Sequence, residues 1–307
     1  MQVEILGSAA GGGFPQWNCR CRNCLSLRAG TFRGKARTQT QVAVSNDGRS
    51  WFLLNASPDL RLQIEACRAL YPRTGARDSP IEGVVLTSAE LDQIVGLLSL
   101  RELQPLRVYC TGSVRRILQE DNSVFAMLNR VSPQAVWTEI TPEKPFSLLT
   151  VGEAEIGLCC EPFPLGKCYP AYVGDERRLL PQEASLGLIL SAAGGGRLAY
   201  VPGVPDVDDS LLRRLDACDV VLFDGTFWSD DELIRVQGGG PTSRQMGHIP
   251  VSSEQGSLRK LSEVRRPRKI FVHVNNTNPM LDESSAEYQQ VRAAGWEIAE
   301  DGWQFDL

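Results

Sequence analysis

The chain has 307 residues, enough for one large α/β domain or two small ones with an ample core. A net charge of -5, a pI near 5.3 and the lack of a long basic run argue against a nucleic-acid tract. No uninterrupted apolar stretch reaches the roughly 20 residues needed to span a bilayer. The opening MQVEILGSAAGGGF reads as a strand and a glycine loop rather than a signal peptide, so the expected location is the cytoplasm.

Residues 3–6 predict the first strand. The glycine loop after it, GSAAGGGFPQ, lacks the Lys-Ser/Thr of a P-loop and leads into a cysteine loop rather than a helix, so close backbone packing is expected there, not phosphate binding. Next comes WNCRCRNC, residues 17–24, a C-x-C-x-x-C cluster of Cys19, Cys21 and Cys24. Nine cysteines, an odd number, argue against a disulfide scaffold, and the other six are scattered. Three thiolates this close can wrap three corners of a zinc tetrahedron. The fourth ligand must come from elsewhere, and His248 and His273 are the only imidazoles in the chain. The expected arrangement is a zinc staple that fastens the loop to the end of the late strand 269–274; three reduced surface thiols, or a catalytic cysteine, are the alternatives.

Residues 41–55 read as a hairpin around Asn46-Asp47-Gly48. A helix is predicted over 58–67 with Ser57 as its N-cap, and a strand over 83–86. That strand feeds a polar turn and a helical pattern over 91–103. Further helices are predicted at 112–118, 210–217, 253–261 and 284–294, and strands at 107–110, 155–160, 186–190, 198–201, 220–223, 269–274 and 296–299. Early strands come in groups and later ones alternate with helices. This mixture fits a four-layer αββα sandwich better than a doubly wound parallel sheet. Strand ends recur at Thr87, Pro202, Asp224 and Asn275, so one sheet edge is expected to collect the functional loops.

The turn LTSAELDQIVGLL resembles the metallo-β-lactamase signature H-x-H-x-D-H, whose ligand positions here read Ser88, Glu90, Asp92 and Gln93. Taken together, ILGSAAGGGFPQWNCRCRNC, LLNASPDLR, LDQIVGLLSLRE, LFDGTFW, MGHIP and HVNNTNPMLDE resemble the pyrroloquinoline quinone biosynthesis protein B family, a branch of the metallo-β-lactamase superfamily. The resemblance runs from Met1 to the C-terminus. It implies one metallo-β-lactamase-like αββα domain over residues 1–307 and a structural zinc on Cys19, Cys21, Cys24 and His273. It also implies an iron-dependent oxygenase that hydroxylates the tyrosine of a Glu-Tyr unit, so the expected partner is a small molecule or short peptide with a tyrosine-like ring, with no nucleic acid and no membrane. Fe(II) with open positions is suited by two imidazoles and one carboxylate. The matching positions are Asp92, position 93 and His248, with Asp224 lining or completing the site and Glu90 a further carboxylate.

Position 93 departs from the family pattern, which has His where this chain has Gln. A neutral amide oxygen is a weaker donor than imidazole and favours oxygen-loving ions. A weakened enzyme and a non-catalytic carrier of the same pathway are therefore both open, whereas hydrolysis at a His-rich dinuclear centre is disfavoured by the two imidazoles. Each residue also has a plain structural alternative. Asp92 can be a first-turn helix acid, His248 a loop histidine, Asp224 a supporting acid at a buried strand end, and Lys167 a solvated or substrate-facing cation. Asn275, Asn276 and Asn278 can satisfy loop backbone or hold a substrate carboxylate.

Overall fold

The computed structural model describes residues 1–131 and 134–307. Its elements follow in the order β1 (Gln2–Gly7), α1 (Arg22–Arg28), β2 (Gln41–Ser45), β3 (Trp51–Leu54), α2 (Leu60–Ala66), β4 (Ile81–Val85), α3 (Leu91–Ile94), β5 (Leu106–Cys110), α4 (Gly112–Gln119), β6 (Ala135–Glu139), β7 (Phe146–Leu149) and β8 (Glu155–Gly166). They continue with β9 (Ser185–Ala192), β10 (Arg197–Val201), α5 (Asp209–Asp216), β11 (Val220–Asp224), α6 (Glu232–Gln237), α7 (Ser257–Lys260), β12 (Arg268–Val272), α8 (Ala286–Ala293), β13 (Trp296–Ile298) and β14 (Trp303–Asp306). Two compact units are formed, one from Met1–Leu6, Gln41–Gly196 and Gly302–Leu307, the other from Gly7–Thr40 and Arg197–Asp301.

In the first unit a mixed sheet has the order β14-β1-β2-β3-β4-β5-β6. The β2–β3 hairpin forms as its sequence requires: Asp47 accepts the backbone N–H groups of Arg49 and Ser50, both at 2.7 Å, and Gly48 takes the left-handed conformation the turn needs. From β3 to β6 the strands are parallel, and Trp51, Leu53, Val84, Val108 and Ile117 share one buried apolar cluster. An antiparallel set, β7-β8-β9, belongs to the same unit. Two predicted helices are shorter than their patterns. The one expected from residue 58 becomes helical at Leu60, after a turn in which the Ser57 hydroxyl accepts the Asp59 N–H at 3.2 Å, the bond expected of an N-cap, and donates to Gln63. The one expected over 91–103 stops at Ile94 and continues as a 3-10 turn over Val95–Leu100. There Gly96 packs against the chain at Ala56 and Ser57 so closely that a Cβ would lie 2.1 Å from the Ser57 carbonyl oxygen, and its N–H goes to Ala56.

In the second unit β10, β11, β12 and β13 are parallel neighbours. Every residue of β11, VVLFD, is buried, and its first four make the continuous apolar run expected of a parallel strand covered on both faces. Trp296 stacks on Phe271 at 4.1 Å between centroids and meets Phe223 edge-on at 6.0 Å. Helix α5 is capped by Asp208 and α8 by Ser285. The glycine loop packs closely, as expected: Phe14 and Arg37 exchange backbone hydrogen bonds at 2.8 and 2.7 Å, and Ala9 bridges to Gln39 and Val274. Parallel register sets Asp224 beside Val272, so the carboxyl ends of β11 and β12 deliver Asp224 and His273 to the same level. Among the described residues no helix is long and apolar enough to cross a membrane.

Candidate metal centres

Three side chains of the second unit, Asp224, His248 and His273, bring metal-ligating atoms within 4.8 Å of one another. Asp224 ends β11 and is fully buried. Its Oδ1 accepts the Thr226 N–H at 3.0 Å and the Thr226 hydroxyl at 2.6 Å; its Oδ2 accepts the Val204 N–H at 3.1 Å and lies 2.9 Å from His248 Nδ1. Burial opposes its charge, yet the neighbouring His248 and these hydrogen bonds prevail and hold the carboxyl below the usual carboxylate range.

The protons in this group can be assigned by counting. Thr226 has one hydroxyl hydrogen, and the 2.6 Å contact gives it to Asp224. Thr226 Oγ1 is then an acceptor for His273 Nδ1, 2.8 Å away, so His273 carries its proton there. His248 Nδ1 faces the carboxylate and carries its proton too. Both imidazoles are therefore Nδ1–H tautomers whose Nε2 holds the lone pair, the state in which histidine binds a metal. The rings stack at 5.2 Å between centroids with 22° between planes. His248 is fixed by its backbone: its N–H goes to the Ser243 carbonyl, and its own carbonyl accepts the Ser243 hydroxyl. His273 sits just past β12 with φ 57, a left-handed conformation that a branched or bulky residue keeps only where its surroundings enforce it.

Cys19, Cys21 and Cys24 form a second metal-competent group, their sulfurs also within 4.8 Å. Cys21 caps α1 by accepting the Cys24 N–H, and Cys24 is buried beneath that helix's first turn. Burial pushes the Cys21 thiol up to about 12, so binding a cation must expel its proton. The amide of Asn276 faces all three sulfurs, at 3.1 Å from Cys19, 3.6 Å from Cys21 and 3.4 Å from Cys24.

The signature turn lies in the first unit. Gln93 Oε1 is 2.8 Å from the Thr87 hydroxyl and 2.9 Å from the Ser88 hydroxyl, and Thr87 is held in turn by Asn55, itself at φ 68. Asp92 occupies the first turn of α3, half-buried, and Glu90 precedes it, exposed. The Tyr172 hydroxyl donates to the Ala89 carbonyl at 2.5 Å. Lys167 is exposed.

Residues 50–274 match the model of the Beta-lactamase superfamily domain. Over the full length of both chains this sequence is 43% identical to coenzyme PQQ synthesis protein B of Pseudomonas entomophila (strain L48) and 45% identical to that of Methylobacterium sp. (strain 4-46). The crystal structure of Zn(2+)-bound PqqB from Methylobacterium extorquens superposes with a TM-score of 0.91 at 42% identity, covering all of both chains. The chain belongs to the coenzyme PQQ synthesis protein B family. Its fold is thus the metallo-β-lactamase αββα sandwich, two mixed sheets with helices, as the strand pattern led us to expect. A diphosphatase of the PhnP family shares that fold, with a TM-score of 0.68 at 18% identity.

Within this PQQ synthesis protein B family member, one expected placement shifts. His273, expected beside the cysteines, is instead stacked on His248 and bonded to Thr226, because the left-handed turn after β12 aims its ring there; Asn276 faces the sulfurs. Asp224 does join His248, as expected of a residue lining the site: its oxygens accept the Val204 N–H, the Thr226 N–H and hydroxyl and face His248 Nδ1, and it is one of the three groups whose ligating atoms lie within 4.8 Å. The loop asparagines divide. Asn278 satisfies the Gly225 and Thr226 carbonyls, Asn275 bonds Thr277, and Asn276 faces the sulfurs.

Neither Thr226, inside LFDGTFW, nor Glu232 is singled out by the sequence, since a hydroxyl and a first-turn acid are ordinary residues. Glu232 is nonetheless buried, accepting from the Trp228 N–H at 2.6 Å and from the Thr277 hydroxyl. Burial pushes its carboxyl up to about 7 from 4.5. The folded state therefore binds the extra proton, and stability should fall as pH rises from about 4.5 through about 7, by up to about 3 kcal/mol. Thermal midpoints across pH 5 to 8 check this; Glu232→Gln should remove most of that decline.

Proposed function

We propose that this chain acts in coenzyme PQQ synthesis as a metal-dependent oxygenase that hydroxylates the tyrosine-type ring of an amino acid or short peptide. The observation that carries this reading is the stacked imidazole pair, with Nδ1–H held on Asp224 and Thr226, the tautomer in which the lone pair a metal uses lies on Nε2. Full-length similarity to coenzyme PQQ synthesis proteins supports the pathway. His248 and His273 suit Fe(II), which supplies the electron-transfer chemistry that oxygen activation needs. The chain's own residues keep the site ready: Asp224 fixes the His248 tautomer, and Thr226 links that carboxylate to His273. Cys19, Cys21 and Cys24 hold a separate zinc that stabilises the N-terminal loop.

Ring hydroxylation turns an aromatic C–H into C–OH with one atom of O2. The other atom leaves as water after taking up two electrons and two protons, so a two-electron donor is a required co-substrate. After anaerobic loading with Fe(II), elemental analysis should find two metals per chain. Adding O2, ascorbate and a Glu-Tyr dipeptide should then give a product heavier by one oxygen atom. One equivalent of zinc, with no second metal under any loading, would sink the oxygenase reading.

A carrier without turnover is the second reading, favoured by Gln93 where the family pattern has an imidazole. Gln93→His separates the two. A gain in Fe(II) affinity and turnover marks a weakened enzyme, and no turnover in either form marks a carrier.

A further inference from the structure

We infer that Asn276, through its side-chain oxygen, is the fourth ligand of the zinc on Cys19, Cys21 and Cys24, and that this bond sets the loop that carries His273. The inference rests on the reading of the three thiolates as a zinc site, and on nothing about the chemistry of the imidazole pair.

The amide group of Asn276 is nearly equidistant from three sulfurs, at 3.1, 3.6 and 3.4 Å, which places it at the apex over their triangle. With Zn–S near 2.3 Å and Zn–O near 2.1 Å, a tetrahedral site puts its oxygen ligand about 3.6 Å from each sulfur. The ends of a carboxamide are told apart only by their partners. Nδ2 meets the sulfurs alone, and Oδ1 meets no donor among the described residues, so exchanging the two ends breaks no other bond. With a cation among the sulfurs, the place over their triangle is its fourth corner, where the carbonyl oxygen has a lone pair to give and the NH2 group has none. Neither imidazole competes for the position, since both rings are committed to the Asp224 and Thr226 network.

The same residue is tied into the imidazole site through a short stretch of chain. Asn23 donates to the carbonyls of Asn276 and Asn278 at 3.1 and 2.9 Å, which clamps this loop onto α1. The Asn275 N–H goes to the Thr226 carbonyl at 3.0 Å. Only Val274 and Asn275 separate Asn276 from His273, whose left-handed backbone needs such anchoring. Asn276 is thus a positioning residue for His273, acting through the loop.

Zinc affinity, read by competition with a chromophoric chelator, should fall ten-fold or more in Asn276→Ala. It should be kept or raised in Asn276→Asp, whose carboxylate oxygen can ligate in the amide's place. An amide that merely donated N–H to the thiolates would give the opposite result for Asn276→Asp, because a fourth negative charge against three sulfurs would weaken zinc binding. Loss of zinc in both variants, or unchanged affinity in Asn276→Ala, overturns the ligand assignment. Co(II) in place of zinc adds a spectroscopic check: its ligand-field bands should shift in Asn276→Ala, and their retention there counts against it. With two histidines in the chain, imidazole 15N spectra resolve His273. Its Nδ1–H resonance should move in Asn276→Ala at saturating zinc and stay near its wild-type position in Asn276→Asp; a resonance unmoved in both overturns the coupling. Neither readout requires Fe(II) or turnover, so failure here is distinguishable from failure of the oxygenase reading.

Discussion

Cys24→Ser is expected to strip the cysteine site of its metal and to lower the thermal midpoint by about 10 °C. The sulfur of Cys24 is buried, and its backbone N–H is what the Cys21 cap accepts, so it joins the metal loop to the start of α1. A metal present at a thousand times its Kd adds about 4 kcal/mol to stability. In a chain of this size each kcal/mol is worth about 2–4 °C. In protein not loaded with Fe(II), the effect should be mimicked in the wild type by a strong chelator, and chelator should do nothing more to the variant. Scanning calorimetry with and without EDTA reads both. Cys168→Ser, at an exposed thiol outside the cluster, should leave the midpoint and the chelator response unchanged. An EDTA response in Cys24→Ser as large as in wild type would place the stabilising metal elsewhere.

Much of this architecture is written locally. VVLFD reads as a buried parallel strand because Val220, Val221, Leu222 and Phe223 form an unbroken apolar run, and Asn46-Asp47-Gly48 fixes a hairpin because its turn needs that chemistry. The cysteine triad is legible because sequence spacing alone brings its sulfurs together on one loop. The fourth corner is not legible. Choosing between His273 and a loop asparagine depends on which way the chain turns after β12, and a left-handed residue at 273 reverses the answer. The strand order that collects Asp224 and His248 is likewise non-local, and Thr226, whose single hydroxyl proton decides two tautomers, lies within LFDGTFW with nothing in that stretch to mark its hydroxyl for the role. Helix lengths fail for the same reason: Gly96 looks permissive in sequence, and only the chain at Ala56 and Ser57 shows why the helix cannot run on. Gln93 stands between these cases. Its place in the polar turn after β4 is plain in the sequence, whereas its contacts with Thr87 and Ser88 emerge only on folding.

Asp224→Asn should leave the fold intact and disable the imidazole pair. An amide keeps the shape of the carboxylate but has one acceptor end and one donor end. With the NH2 end toward Oδ1's position, it would oppose the Thr226 N–H, which needs an acceptor there. With the NH2 end toward Oδ2's position, it would oppose both the Val204 N–H and the Nδ1–H of His248. The imidazole can relieve its share by moving its proton to Nε2, and that removes the lone pair a metal would use. Metal affinity at the imidazole pair should therefore drop about 10- to 100-fold, the usual effect of losing such a supporting group. Stability should fall by about 1–3 kcal/mol, since one buried N–H is left facing a donor in either orientation. Imidazole 15N spectra distinguish the two tautomers directly, and the zinc content of the cysteine site should not change. A variant in which His248 keeps its proton on Nδ1 while Fe(II) affinity is undiminished would show that Asp224 does not set the tautomer, and the reading of this group as a prepared metal centre would lose its support.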